Sequence, residues 1–107
     1  MKVVTNHHDY KQEVEHHRWL LVYFTASWCG PCSSFSPVMD KVSGAFKSIL
    51  TSIKVDVEDV PEAAGEMEIR SVPSLLLFEH GKPVEGIVGA QSFEKVSDWL
   101  MSHLLVF

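Results

Sequence analysis

The continuous apolar run Trp19–Phe24 constrains the fold more than any other feature of the sequence. The run is long and aromatic enough for a strand that is buried on both faces. Beyond a short turn, apolar side chains recur at the spacing of a buried helix face. They are Phe35, Val38, Met39, Val42 and Phe46. A buried strand that leads directly into a helix predicts a sheet covered by helices.

The segments before this unit predict a short strand and a helix. The strand covers Met1–Val4, and Asn6 can cap the helix that follows, because its side chain accepts a hydrogen bond from a free N–H group of the first turn. Tyr10 and Val14 form the inner face of this helix. In the later helix, Pro37 predicts a kink, since proline removes a backbone donor and crowds the preceding turn.

The segments after it continue the alternation. A strand is predicted at Ile53, Val55 and Val57, and a short helix over Glu62–Met67. A hairpin follows, with strands Leu75–Phe78 and Val84–Val88 joined by a turn at His80 and Gly81. The last predicted element is a helix that Ser92 caps. Its apolar face carries Phe93, Val96, Leu100, Met101 and Leu104. The order β-α-β-α-β-α-β-β-α predicts an α/β fold, with a central mixed sheet and helices on both faces. We expect a single domain over residues 1–107.

The charge balance argues against nucleic acid as a partner. The net charge is −5, and the nine Lys and Arg residues are scattered along the chain rather than clustered. The densest charge is an acidic stretch, which we interpret as the solvated face of a helix and its preceding loop, although it could also steer basic partners. Its members are Asp56, Glu58, Asp59, Glu62, Glu66 and Glu68.

The sequence predicts neither a membrane span nor a secretory leader. No apolar run approaches the roughly 20 residues that a spanning helix needs. The first residues carry Lys2 but no apolar signal core behind it. This start favours a cytoplasmic location, although a chain whose leader had been removed would begin in the same way.

Both cysteines lie in the segment Trp-Cys-Gly-Pro-Cys, between the buried strand and its helix. A secreted domain stapled by disulfides would carry more cysteines, spread more widely. A helix N-terminus favours a thiolate, which is the reactive species in thiol–disulfide exchange. We therefore predict that Cys29 is the attacking nucleophile and that Cys32, one turn further, resolves the mixed disulfide. Gly30 and Pro31 would hold the turn, and Trp28 would shelter one side of the pair.

Three other interpretations of the cysteine pair compete with this one. A structural disulfide closing so short a loop would contribute only about 2 kcal/mol. A zinc site would need two more ligands, and the candidate histidines show no ligand spacing, so we interpret them as a solvated, pH-sensitive face. They are His7, His8, His16 and His17. Two unreactive cysteines would not explain the Gly-Pro pair between them at a strand-to-helix turn.

At these residues the sequence resembles the thioredoxin family, and the resemblance runs nearly end to end. It is carried by the Trp-Cys-Gly-Pro-Cys motif, by Pro37 in the helix that follows, by the segment Ile69–Ser74, and by Gly81 and Gly89. The resemblance implies a thioredoxin fold with the dithiol as its working centre.

The resemblance also implies a cis peptide bond between Val72 and Pro73, facing the dithiol. A cis bond before proline is far less costly than one before any other residue. It would leave the backbone of Val72 free to pair with an extended substrate. A shallow apolar docking surface would then surround Cys29, formed by Trp28, Val72, Pro73, Gly89 and Ala90. Without the cysteine pair, Pro73 would be interpreted as a simple strand-start proline.

Two positions depart from the family pattern. Tyr23 stands where thioredoxins usually carry a buried aspartate that is thought to help deprotonate the resolving thiol, and a phenol with a reference pKa of about 10 is a poor base. Lys54 matches the lysine that neighbours this aspartate. It could hydrogen-bond the Tyr23 hydroxyl, turn to water, or lower the pKa of the thiol. Ser33 replaces a frequent lysine. We predict slower resolution by Cys32 than in a typical thioredoxin.

The expected function is the reduction of protein disulfides, with re-reduction by a flavin-dependent thioredoxin reductase. No bound cofactor is implied, since the electrons reside in the cysteines and the chain holds no dinucleotide glycine fingerprint. A monomer is the family default. Two alternatives are an oxidant or isomerase with the same chemistry, and an interaction module that binds without turnover. Tyr23 gives the interaction module some support, whereas the intact cysteine pair argues against it.

Overall fold

The computed structural model of the chain describes residues 1–104. Its elements are β1 (Lys2–Val4), α1 (His7–His16), β2 (Trp19–Thr25), α2 (Gly30–Phe46), β3 (Thr51–Asp56), α3 (Pro61–Glu66), β4 (Ser74–Glu79), β5 (Lys82–Val88) and α4 (Phe93–Leu104). The predicted order of strands and helices is confirmed. The last positions of the predicted domain, 105–107, lie outside the described residues.

The five strands form one mixed sheet in the order β1-β3-β2-β4-β5. Strands β1, β3 and β2 run parallel, and the hairpin of β4 and β5 adds two antiparallel strands to the other side of β2. In the β2–β3 register, Tyr23 pairs with Lys54 and Thr25 pairs with Asp56. Because β2 lies in the centre, its carboxyl end opens in the middle of one sheet edge, where α2 begins.

Strand β2 is buried on both faces, as its apolar run predicts. All side chains from Leu20 to Phe24 are completely buried. Alternate residues face opposite layers, because successive side chains of a strand point to opposite faces. Leu21 and Tyr23 pack with side chains of α2 and α4, whereas Leu20, Val22 and Phe24 pack with side chains of α1, α3 and the neighbouring strands.

The predicted helix caps are confirmed. The Asn6 side chain accepts a hydrogen bond from the Asp9 N–H at 2.8 Å, and the Ser92 hydroxyl accepts one from the Lys95 N–H at 3.1 Å. The hairpin turn also lies at His80 and Gly81, both of which adopt positive φ angles. A left-handed conformation at both turn residues is the geometry that matches the twist of a two-residue hairpin.

Strand β3 ends earlier than the alternation predicts. Val57 lies beyond its last residue, Asp56, because the chain turns there. The Asp56 side chain accepts from the Glu58 N–H at 2.8 Å, and its carbonyl accepts from the Val60 N–H at 3.0 Å. Helix α3 then begins at Pro61, a residue suited to the first helical position. This start is one residue before the predicted one.

Candidate active site

The two cysteines occupy the first turn of α2. Cys29 is the N-cap residue, and its sulfur accepts a hydrogen bond from the Cys32 N–H at 3.2 Å. The two sulfurs form a disulfide, with the Cα atoms 5.3 Å apart. Cys29 is 8% exposed and Cys32 is 3% exposed. The helix therefore directs a free N–H group at the sulfur of Cys29, and a thiolate at that position is stabilised by the same group.

The loop before β4 lies directly against this disulfide. Its Val72–Pro73 peptide bond is cis, as expected. The Val72 carbonyl oxygen is 3.5 Å from the Cys29 sulfur, and the Val72 side chain packs against the cluster that Ala26, Cys29 and Cys32 form. The Pro73 carbonyl accepts a hydrogen bond from the Gly89 N–H at 2.8 Å. The structure thus brings Val72 to Cys29, and Gly89 to Pro73.

The other residues expected around the cysteines lie at the surface. Trp28 is 68% exposed, and Gly30 and Pro31 are exposed beside it. Ala90 is also exposed and adjoins Gly89 along the chain. Pro73, in contrast, is buried. The accessible part of this region is therefore an indole and short side chains around a cysteine of low exposure.

Tyr23 is completely buried beneath the first turns of α2. Its hydroxyl donates to the Cys32 carbonyl at 3.2 Å and lies 3.2 Å from the Ser36 hydroxyl. Its ring meets the ring of Phe35 edge to face, with centroids 5.6 Å apart. The Lys54 ammonium lies 5.8 Å from the centroid of the Tyr23 ring. Lys54 is therefore placed over the ring, and the hydroxyl partners are on α2.

A cleft of about 310 Å³ opens beside the disulfide, and both cysteines line it. Its wall is polar and includes Ser36, Lys54 and Asp56. The sequence placed Asp56 in a solvated acidic stretch, whereas the structure makes it half-buried in this wall. The two-residue period of a strand could have predicted this position, because Asp56 is two residues beyond Lys54 and therefore lies on the same face of the sheet.

The comparisons with known proteins agree with this geometry. The thioredoxin family profile matches residues 1–102. The chain belongs to the thioredoxin family. It is 42% identical to thioredoxin-2 of Pyricularia oryzae over 87 residues, which are 81% of this chain and 50% of that relative. The chain thus spans about half the length of the fungal relative.

A bacterial relative and a solved structure match more of their own length. The chain is 37% identical to a thioredoxin of Staphylococcus saprophyticus over 84 residues, which are 78% of this chain and 81% of the relative. A structure of Plasmodium falciparum thioredoxin superposes with a TM-score of 0.90 at 26% identity, covering 96% of this chain and 99% of the other. The expected thioredoxin fold is therefore confirmed.

Within this family, a cysteine pair separated by two residues at a helix N-terminus performs dithiol–disulfide exchange. The chain is accordingly a thiol–disulfide oxidoreductase, and Cys29 and Cys32 have the spacing and the disulfide that this chemistry requires. Family membership also implies disulfide-containing protein substrates and a reductase partner.

Three histidines in and directly after α1 are engaged with acidic and backbone groups. His7 Nε2 lies 2.9 Å from a Glu66 carboxylate oxygen, His16 Nδ1 lies 2.6 Å from the Gln12 carbonyl oxygen, and His17 Nε2 lies 3.6 Å from Glu13. Within residues 1–104, no three His, Cys, Asp or Glu side chains converge as a metal site would require. No helix in that range is long and apolar enough to cross a membrane.

Proposed function

We propose that the chain reduces disulfides in protein substrates, with Cys29 as the nucleophile and Cys32 as the resolving thiol. The observation that carries this assignment is the position of Cys29 at the N-cap of α2, where its sulfur accepts the Cys32 N–H. The greater exposure of Cys29, 8% against 3%, supports the same order of attack.

Reduction proceeds in two exchanges. The Cys29 thiolate attacks one sulfur of the substrate disulfide, a Cys29–substrate bond forms, and the second substrate sulfur leaves as a thiolate. The Cys32 thiolate then attacks the Cys29 sulfur, the Cys29–Cys32 disulfide forms, and the first substrate sulfur leaves. Two electrons pass to the substrate, and the protein ends in the disulfide form that the structure displays.

The proposed docking surface comprises Trp28, Val72, Gly89 and Ala90, together with the buried Pro73, which adjoins Val72 along the chain. Its assignment is supported by the 3.5 Å separation between the Val72 carbonyl oxygen and the Cys29 sulfur. An extended substrate that paired with the Val72 backbone would bring its own disulfide over Cys29, in the manner of strand addition. Gly30 and Pro31 would shape the turn, and Tyr23 and Lys54 would support the helix from beneath.

The protein would be re-reduced by a flavin-dependent thioredoxin reductase, and so would carry electrons between two partners. We place it in the cytoplasm as a monomer. The use of cysteine supports a reducing compartment, since both cysteines of the chain are in the exchange centre and neither serves as a structural staple.

Insulin reduction tests this function directly. With excess dithiothreitol as the electron source, the protein should accelerate precipitation of the reduced insulin chains, and a Cys29→Ser variant should not. Replacing dithiothreitol by NADPH and a thioredoxin reductase tests the proposed reductase partner. A wild-type rate no greater than that of Cys29→Ser would contradict the reductase assignment and favour a binding module.

The order of attack has its own test. A Cys32→Ser variant should accumulate a stable mixed disulfide through Cys29, which intact-mass spectrometry detects as an adduct. Cys29→Ser is the matched control and should form no such adduct. An adduct that forms through Cys32 instead would reverse the roles.

A further inference from the structure

The second exchange requires Cys32 to lose a proton while it is buried. Cys32 is 3% exposed, and burial disfavours the charged thiolate relative to the thiol. A neighbouring group that accepts the proton as the sulfur attacks would therefore accelerate resolution. The candidates are the titratable side chains closest to the reacting sulfurs.

Tyr23 does not fill this role. Its hydroxyl donates to the Cys32 carbonyl and is shared with the Ser36 hydroxyl, so both of its contacts are with α2 oxygen atoms. A neutral phenol is also a weak proton acceptor at neutral pH. Tyr23 holds the helix in place, and the acceptor must come from another element.

Asp56 has the required position. The parallel register pairs it with Thr25, one pleat beyond the Tyr23–Lys54 pair and on the same face of the sheet. That step moves the side chain toward the carboxyl ends of the strands, where the cysteines lie. Within the described chain, Asp56 contributes the one carboxylate on the wall of the cleft that both cysteines line.

Two features make the carboxylate usable there. The Glu58 N–H donates to the Asp56 Oδ1 atom at 2.8 Å, which orients the group. The cleft, at about 310 Å³, has a polar wall and is several times larger than the roughly 30 Å³ of one water molecule. The cleft that Asp56 shares with both cysteines therefore has room for a water molecule.

We propose that Asp56, through a bridging water, accepts the proton of Cys32 during resolution of the mixed disulfide. The inference rests on the proposed function. In this step the Cys32 S–H bond breaks and its proton passes to the Asp56 carboxylate. The Cys32 sulfur bonds to Cys29, and the substrate sulfur leaves with the electron pair of the broken disulfide and takes up a proton. Lys54, the other charged group on the cleft wall, offsets the developing negative charge.

The reaction of the reduced protein with 5,5′-dithiobis(2-nitrobenzoate) separates the two exchanges. Attack by Cys29 releases one coloured thiolate, and resolution by Cys32 releases the second, so absorbance at 412 nm rises in two phases. In Asp56→Asn, which keeps the volume and the acceptor for Glu58, the second phase should slow about tenfold while the first is unchanged. Asp59→Asn, an exposed acid three residues on, is the matched control and should leave both phases unchanged.

The pH profile distinguishes a proton acceptor from a structural support. Without the acceptor, resolution in Asp56→Asn should follow thiolate formation by hydroxide and rise about tenfold per pH unit between about pH 6 and 8, whereas the wild-type rate should rise less steeply. A second phase in Asp56→Asn within twofold of wild type would overturn the proposal, as would equal slowing in Asp59→Asn or equal slowing of both phases. Absence of a first phase in the wild-type protein would instead contradict the proposed function.

Discussion

Two buried tyrosines lie on opposite faces of the sheet, and they have opposite surroundings. Tyr23 faces α2, and its hydroxyl bonds to Cys32 and Ser36 in the turns that carry the active site. Tyr10 is 2% exposed on the α1–α3 side, and its hydroxyl has no hydrogen-bond partner among the described residues. Burial, assisted by the charge of Glu66, raises the pKa of Tyr10 to about 12.

The difference shows that the buried tyrosines have different roles in the two layers of the core, one on the α1–α3 side of the sheet and one on the α2 side. In the α1–α3 layer, the ring of Tyr10 fills volume and stacks near His7. The buried Tyr10 hydroxyl lowers the stability of the fold, because it has lost its hydrogen bonds to water. In the α2 layer both parts of Tyr23 make contacts. The ring packs on Phe35, and the hydroxyl donates a hydrogen bond to the Cys32 carbonyl of α2.

The largest expected effect comes from removing one phenylalanine from each layer. Phe35 and Phe78 are 1% and 2% exposed, so Phe35→Ala and Phe78→Ala should each lower the free energy of unfolding by about 3–5 kcal/mol, measured by urea denaturation. Only Phe35→Ala should also slow the resolving phase, because it removes the support of Tyr23 beneath Cys32. If Phe78→Ala slows the resolving phase as much as Phe35→Ala does, the proposed difference between the two layers is wrong.

A smaller effect is expected from removing each hydroxyl. Tyr23→Phe loses hydrogen bonds to α2 and should lower the free energy of unfolding by about 1–2 kcal/mol. Tyr10→Phe removes an unsatisfied buried group and should leave the free energy of unfolding unchanged or raise it slightly. The two variants differ from wild type by the same single atom, so they serve as controls for each other in chemical denaturation. A larger loss in Tyr10→Phe would reverse the comparison.

The smallest effect is a pH dependence specific to the Tyr10 layer. Since the pKa of Tyr10 is raised to about 12, the folded state holds this proton more tightly than the unfolded state does. The associated stability is fully present below about pH 10 and is lost as the pH rises from about 10 to 12. The loss reaches about 1.4 kcal/mol at pH 11. Wild type should therefore lose stability relative to Tyr10→Phe over this range in urea titrations. If the free energy of unfolding falls equally with pH in wild type and in Tyr10→Phe, the predicted pH dependence is wrong.

Much of the fold was readable from local sequence. The buried strand Trp19–Phe24, the caps Asn6 and Ser92, and the turn at His80 and Gly81 all rest on neighbouring residues and on strand or helix periods. They were predicted correctly for that reason. The end of β3 was missed, because the turn depends on hydrogen bonds to the side chain and carbonyl of Asp56, and alternation of apolar residues does not report such bonds.

Within the site, the cysteine pair and its position at a helix start were readable, whereas its surroundings were not. The sequence leaves three possibilities open for Lys54: a hydrogen bond to the Tyr23 hydroxyl, exposure to water, or an effect on the pKa of the thiol. The structure places its ammonium over the Tyr23 ring. The acidic stretch predicts a solvated Asp56, whereas the structure places it on the wall of the cleft beside the cysteines. Both outcomes depend on which strand lies beside β2 and in what register.

The order of elements, the thioredoxin resemblance and the prediction that the two cysteines form the exchange centre all follow from residues close together in the chain. Three other features depend on tertiary packing. The Tyr23 hydroxyl bonds to α2, the Val72 carbonyl oxygen lies 3.5 Å from the Cys29 sulfur, and Asp56 shares a cleft with both cysteines. These contacts join residues far apart in sequence. They exist because parallel pairing of β2 with β3 sets one register and because the core on each face admits one packing of the helices.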